Sequence, residues 1–128
     1  MNPKTILVVD DSATMRQLLT LTLKRLKGCE VVEAAHGAEA VAKLSSRPFD
    51  LVIADLKMPE MDGLELVNHI RSVLKLSLPI VIVTTKGGEE DRDRGLKRGA
   101  NAYLTKPISG TALLQLVERL LDSPCSHR

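Results

Sequence analysis

Five short strand-like runs, each followed by a stretch of helical spacing, constrain this chain more than any other feature. The runs are Thr5–Val9, Glu30–Ala34, Leu51–Ala54, Ile80–Val83 and Ala102–Leu104. Leu51-Val-Ile-Ala54 and Ile80-Val-Ile-Val83 are apolar at every position and rich in β-branched side chains, as strands buried on both faces are. Between the runs, apolar residues recur at helical intervals. Met15, Leu18, Leu19, Thr22, Leu23 and Leu26 form one such set, ended by Gly28, and Ala40, Val41 and Leu44 a second. Leu66, Val67, Ile70 and Leu74 form a third, and Leu113, Leu116, Val117, Leu120 and Leu121 a last one, with Ser109 as its cap. Residues 89–98 read as a helix with one large apolar residue, Leu96, and therefore as a weakly held element. Strands alternating with helices across short loops predict an α/β fold: a doubly wound, five-stranded parallel sheet with right-handed crossovers. At 128 residues the chain is expected to form a single domain spanning 1–128.

In such a sheet all strands end on one edge, and ligands bind there. Asp10 and Asp11 follow the first strand, and Asp55 ends the third. Thr84 and Thr85 end the fourth, and Lys106 follows the fifth. The flavodoxin-like strand order 2-1-3-4-5 sets the first and third strands side by side, which gathers Asp10, Asp11 and Asp55. Three adjacent carboxylates raise one another's pKa values and are costly without a cation. Oxygen donors of this kind suit a hard divalent ion, Mg²⁺. With that ion, Lys106 and a hydroxyl nearby, a phosphoryl group in transfer would be stabilised, and Asp55 could attack phosphorus as a nucleophile.

Blander readings exist for each residue. Asp10 and Asp11 can be a helix approach and a cap, Lys106 a solvated side chain, and Tyr103 a half-buried strand aromatic. His36, His69 and His127 lack metal-ligand spacing and read as surface residues, and Met58 and Met61 read as loop packing. Gly87-Gly88 reads as a connector, since no phosphate-cradling glycine motif occurs. A net charge of +2 scattered along the chain, with Phe49 and Tyr103 as its aromatics, argues against nucleic-acid binding. No apolar run approaches the roughly 20 residues of a membrane span. With no signal-peptide pattern at the start, and with Cys29 and Cys125 read as free thiols, a cytoplasmic location is expected.

Val8-Val-Asp-Asp-Ser12, Asp55-Leu-Lys-Met-Pro59, Met61-Asp-Gly63, Thr84 and Tyr103-Leu-Thr-Lys-Pro107 together resemble the receiver domain of bacterial two-component response regulators. Asp11-Ser-Ala-Thr-Met-Arg16 is similar to the start of the first helix in the chemotaxis-type, single-domain CheY group. The resemblance implies that Asp55 is the phosphoacceptor and that Asp11 binds Mg²⁺ directly, with Asp10 acting largely through water. It implies the backbone carbonyl of Lys57 as a further ligand, and Lys106, next to a usually cis Pro107, as the partner of the phosphoryl oxygens. Thr84 would bond the phosphoryl group, with Thr85 the weaker candidate, and Tyr103 would turn inward as Thr84 moves. The donor would be a phosphohistidine on a sensor histidine kinase. The output would be altered binding of a protein target, such as chemotaxis or motility machinery, with no direct contact to nucleic acid or membrane. Residues 89–98, the fifth strand and the last helix are the expected reading surface. Lys57 is expected to lean over the site and affect the acyl-phosphate lifetime. The competing functions are a Mg²⁺-dependent aspartyl-phosphate phosphatase or phosphotransferase, a pseudo-receiver binding module, and a flavodoxin-like cofactor binder.

Overall fold

The computed structural model describes residues 4–84, 93, 96–97 and 99–122. Of the helix expected over 89–98, Asp93, Leu96 and Lys97 are described, and all three are helical. Thr85, Gly87-Gly88, Cys125 and His127 lie outside the described residues.

The elements alternate as the sequence predicts: β1 (Lys4–Val9), α1 (Ala13–Leu23), β2 (Cys29–Ala34), α2 (Gly37–Ser46), β3 (Leu51–Asp55), α3 (Gly63–Ser72), β4 (Ile80–Thr84), β5 (Ala102–Thr105) and a C-terminal helix, α4 (Gly110–Asp122). The strands form one parallel sheet in the order β2-β1-β3-β4-β5. Val9 lies opposite both Ala34 and Ala54, and Asp55 lies opposite Val83, so β1, β3 and β4 finish close together.

Side chains alternate across the sheet with period two. Leu7, Val9, Val52, Ala54, Ile80 and Ile82 pack on one face with Ala40 and Leu44 of α2 and Leu66, Val67 and Ile70 of α3. Ile6, Val8, Leu51, Ile53, Val81 and Val83 pack on the other with Leu19 and Leu23 of α1 and Leu113, Leu116 and Val117 of α4. Both faces being covered explains why the central strands carry no polar alternation.

Helix ends differ from expectation where local hydrogen bonding decides them. Helix α1 starts at the Ser12 cap, whose hydroxyl accepts from Met15 N–H at 3.2 Å. It stops at Leu23 rather than at Gly28. Tighter i→i−3 bonds follow, from Arg25 N to Thr22 O (3.1 Å) and Leu26 N to Leu23 O (2.9 Å), before Gly28 turns the chain at φ +77°. Leu18, expected inward, is 53% exposed, and Thr20 is buried instead. Helix α2 begins at Gly37 because His36 is its cap: Nδ1 accepts from Glu39 N–H at 3.2 Å. His36 is exposed as expected, whereas His69 is partly buried.

Candidate functional site

Strand β3 ends in Asp55, and the chain turns sharply behind it. Leu56 N–H donates to Val83 O and Gly63 N–H donates to Leu56 O, both at 2.8 Å, so residues 57–62 form a loop closed at its neck. Gly63 is required by that closure: a Cβ there would lie 2.7 Å from Asp55 O and 2.9 Å from Leu56 Cα. A reciprocal cap then starts α3, with Glu65 N–H on Asp62 Oδ1 at 2.8 Å and Asp62 N–H on Glu65 Oε1 at 3.0 Å. Met58 is buried and Met61 packs partly buried against the α2/α3 core, in line with their reading as loop packing. Lys57 is exposed on this loop, two residues past Asp55.

Asp10, 1% exposed, leaves the end of β1. Its Oδ1 accepts from Ser12 N–H at 2.8 Å, and Lys106 Nζ lies 3.4 Å from its Oδ2. Asp11 is exposed beside it. One oxygen each of Asp10, Asp11 and Asp55 lie within 4.8 Å of one another. Lys106 Nζ reaches Asp55 Oδ1 at 3.2 Å. The lysine is held by its backbone, which donates to Thr84 O at 2.7 Å, and the Lys106–Pro107 peptide is cis. Thr84 ends β4, fully buried, opposite Thr105. Tyr103, on β5, packs partly buried against the α2/α3 core, three residues before Lys106.

Asp10, Asp11, Asp55 and Lys106 therefore meet at one corner, with Thr84 closing the neighbouring strand. Among the described residues, the Lys106 ammonium pairs with two of the three carboxylates, Asp10 and Asp55. Burial pushes the Asp55 carboxyl above its ordinary value; the negative charge of Asp10 adds to this, Lys106 opposes it, and Asp11 adds a smaller push upward. Such a corner has excess negative charge, hard oxygen donors and an opening at Asp11, which fits a hard divalent cation. Two features were not read from the sequence. The Asp62–Glu65 cap had a visible signal, an acidic residue followed three positions later by glutamate. The bridge from Arg16 to Glu33 had none, because it joins a helix to a neighbouring strand.

Residues 6–118 match the model of the response regulator receiver domain. The chain is 42% identical over 120 residues to chemotaxis protein CheY1 of Helicobacter pylori, covering 92% of this chain and 97% of that protein. It is 43% identical over 120 residues to a chemotaxis protein CheY homolog of Campylobacter jejuni, covering 92% of each. Among solved structures, CheY4 of Vibrio cholerae superposes with a TM-score of 0.86 at 37% identity, covering 92% of this chain and 98% of that one. Sequence, sheet order and the acidic corner agree, and the chain belongs to the response regulator receiver domain family of phosphorylation-activated signalling receivers.

Proposed function

We propose that Asp55 accepts a phosphoryl group from a phosphohistidine of a sensor histidine kinase. A carboxylate oxygen attacks phosphorus, the P–O bond forms as the P–N bond breaks, and the leaving imidazole takes up a proton. The observation that carries this reading is the placement of Lys106 Nζ, 3.2 Å from Asp55 and 3.4 Å from Asp10, at the edge of three clustered carboxylates. Asp10, Asp11, Asp55 and the backbone carbonyl of Lys57 would hold Mg²⁺, which when bound neutralises charge on the phosphoryl oxygens. Lys106 pairs with those oxygens, and Thr84 donates its hydroxyl to them. Tyr103 and Thr84 act as the switch, read by partners on the surface expected from residues 89–98, β5 and α4. The target proposed is chemotaxis or motility machinery, a reading supported by relatives named as chemotaxis proteins. A cytoplasmic setting is in keeping with a chain in which, among the described residues, no helix is long and apolar enough to cross a membrane.

Incubation with acetyl phosphate and Mg²⁺, followed by intact mass and peptide mapping, tests the reading. A labile adduct on Asp55, absent from Asp55→Asn and from the Mg²⁺-free sample, is expected. Multiple turnover of a small phosphoester would favour a phosphatase instead, and an adduct indifferent to Mg²⁺ would remove the metal from the account.

A further inference from the structure

The β1–α1 turn carries two of the three carboxylates, and a second ion pair, away from the phosphoryl corner, holds its backbone. An Arg16 terminal nitrogen donates to the main-chain carbonyl of Asp10 at 2.6 Å. The Nε of the same guanidinium donates to Glu33 Oε1 on β2 at 3.2 Å. Glu33 is fixed in turn: its other carboxylate oxygen accepts from the Thr20 hydroxyl at 3.0 Å, and its backbone carbonyl accepts from Lys43 Nζ at 2.8 Å. Thr20 is 8% exposed, so a hydroxyl on the buried face of α1 is committed to this one carboxylate. The three oxygens of Asp10 are thus each occupied, the carbonyl by Arg16, Oδ1 by Ser12 N–H and Oδ2 by Lys106. Asp11 is exposed, and the peptide from which it grows fixes the point and direction at which its side chain leaves the backbone.

We propose that Arg16, clamped to Glu33, is a positioning residue for the acidic turn. It fixes the Asp10–Asp11 peptide so that both carboxylates meet a shared divalent cation, and it thereby sets the affinity for that cation. The proposal rests on the reading of this corner as a Mg²⁺ site. The planar fork serves two acceptors in different directions, which an ammonium on a flexible stem does not reproduce. A positive charge near the site by itself opposes cation binding, so losing charge alone would tighten it. Positioning and charge therefore predict opposite signs, and Arg16→Lys, which keeps the charge, isolates positioning.

The test is Mg²⁺ binding to the full chain, followed by amide chemical shifts or calorimetry, with thermal midpoints in chelator recorded for every variant. Arg16→Lys and Thr20→Val are expected to weaken Mg²⁺ binding by roughly tenfold, the scale of losing a residue that orients a metal ligand. Thr20→Ser should restore it, and Arg16→Lys combined with Glu33→Gln should weaken it no more than the stronger single change, since both cut one bridge. Arg47→Lys, in the exposed Arg47–Glu30 pair at 3.1 Å, should leave it unchanged. Variants that lose thermal stability yet keep wild-type affinity would overturn the proposal and leave the bridge a structural one. No Mg²⁺ uptake by the unaltered chain would overturn the metal reading itself, whereas uptake with unchanged variants overturns the positioning role alone.

Discussion

The two edges of the sheet treat partly buried positive charge in opposite ways. At the carboxyl edge, Lys106 faces carboxylates that outnumber it. At the amino edge, Arg71 of α3 is surrounded by neutral oxygens. Its guanidinium donates to Gly99 O at 3.1 and 2.7 Å, to Leu76 O at 2.8 Å, to Leu78 O at 2.7 Å and to Asn101 Oδ1 at 2.9 Å. Asn101 Oδ1 also accepts from Ile80 N–H at 2.8 Å, so one arginine ties α3 to the approaches of β4 and β5. Gly99 sits at φ +117°, and a Cβ there would come 2.9 Å from the Arg71 side chain. One edge satisfies its charge within the fold. The other, among the described residues, gathers more carboxylates than ammonium groups, and sites of chemistry are where such unrelieved charge is kept.

The contrast is broken most severely by Arg71→Ala. Several partly buried carbonyls would lose a charged donor at once, and a loss of about 3 kcal/mol in urea unfolding is expected. A loss under about 1 kcal/mol would mean that water replaces the guanidinium and that this edge is not held as described. Next in size is Gly63→Ala, where a methyl meets Asp55 O at 2.7 Å. A cost of roughly 1–3 kcal/mol is expected, together with slower adduct formation, because the loop neck and the acceptor move together.

A smaller effect has the opposite sign and sharpens the contrast. The Asp55 carboxyl is raised above its ordinary 3.8 in the folded chain. The folded state therefore holds this proton more tightly than the unfolded state does. Stability from this group is full below 3.8 and falls as pH rises through the folded value. Without divalent ions, Asp55→Asn should be more stable than the unaltered chain at pH 7, by a few degrees in melting temperature, with the gap closing in acid. A less stable Asp55→Asn at pH 7 would show that the Lys106 pairing outweighs burial and repulsion. Mg²⁺ at ten times its Kd should add about 1.4 kcal/mol to the unaltered chain, narrowing or reversing the gap. Smallest is Lys57→Ala: the exposed side chain should change the acyl-phosphate decay rate several-fold without moving the melting temperature.

Much of this was legible in order along the chain. The unbroken runs Leu51–Ala54 and Ile80–Val83 announce central strands because no polar position interrupts them. Asp10, Asp55 and Lys106 were legible as one cluster because parallel topology sends all strand ends to one edge. Other features were not. Leu18, expected inward, faces solvent, and Thr20 is buried with its hydroxyl donated to Glu33 across from α1. His36 caps α2 although histidine is an uncommon cap, and the Asp62–Glu65 pair fixes the start of α3.

The sequence by itself determined the alternation of elements and which charged residues end the strands, because burial on two faces and strand direction follow from local pattern; the order of the strands, which sets those ends side by side, is a non-local pairing. Only the tertiary structure decided how those charges are held. The Arg16–Glu33–Thr20 bridge and the Arg71 clamp join residues on different elements, and their hydrogen bonds depend on distances that no local pattern encodes.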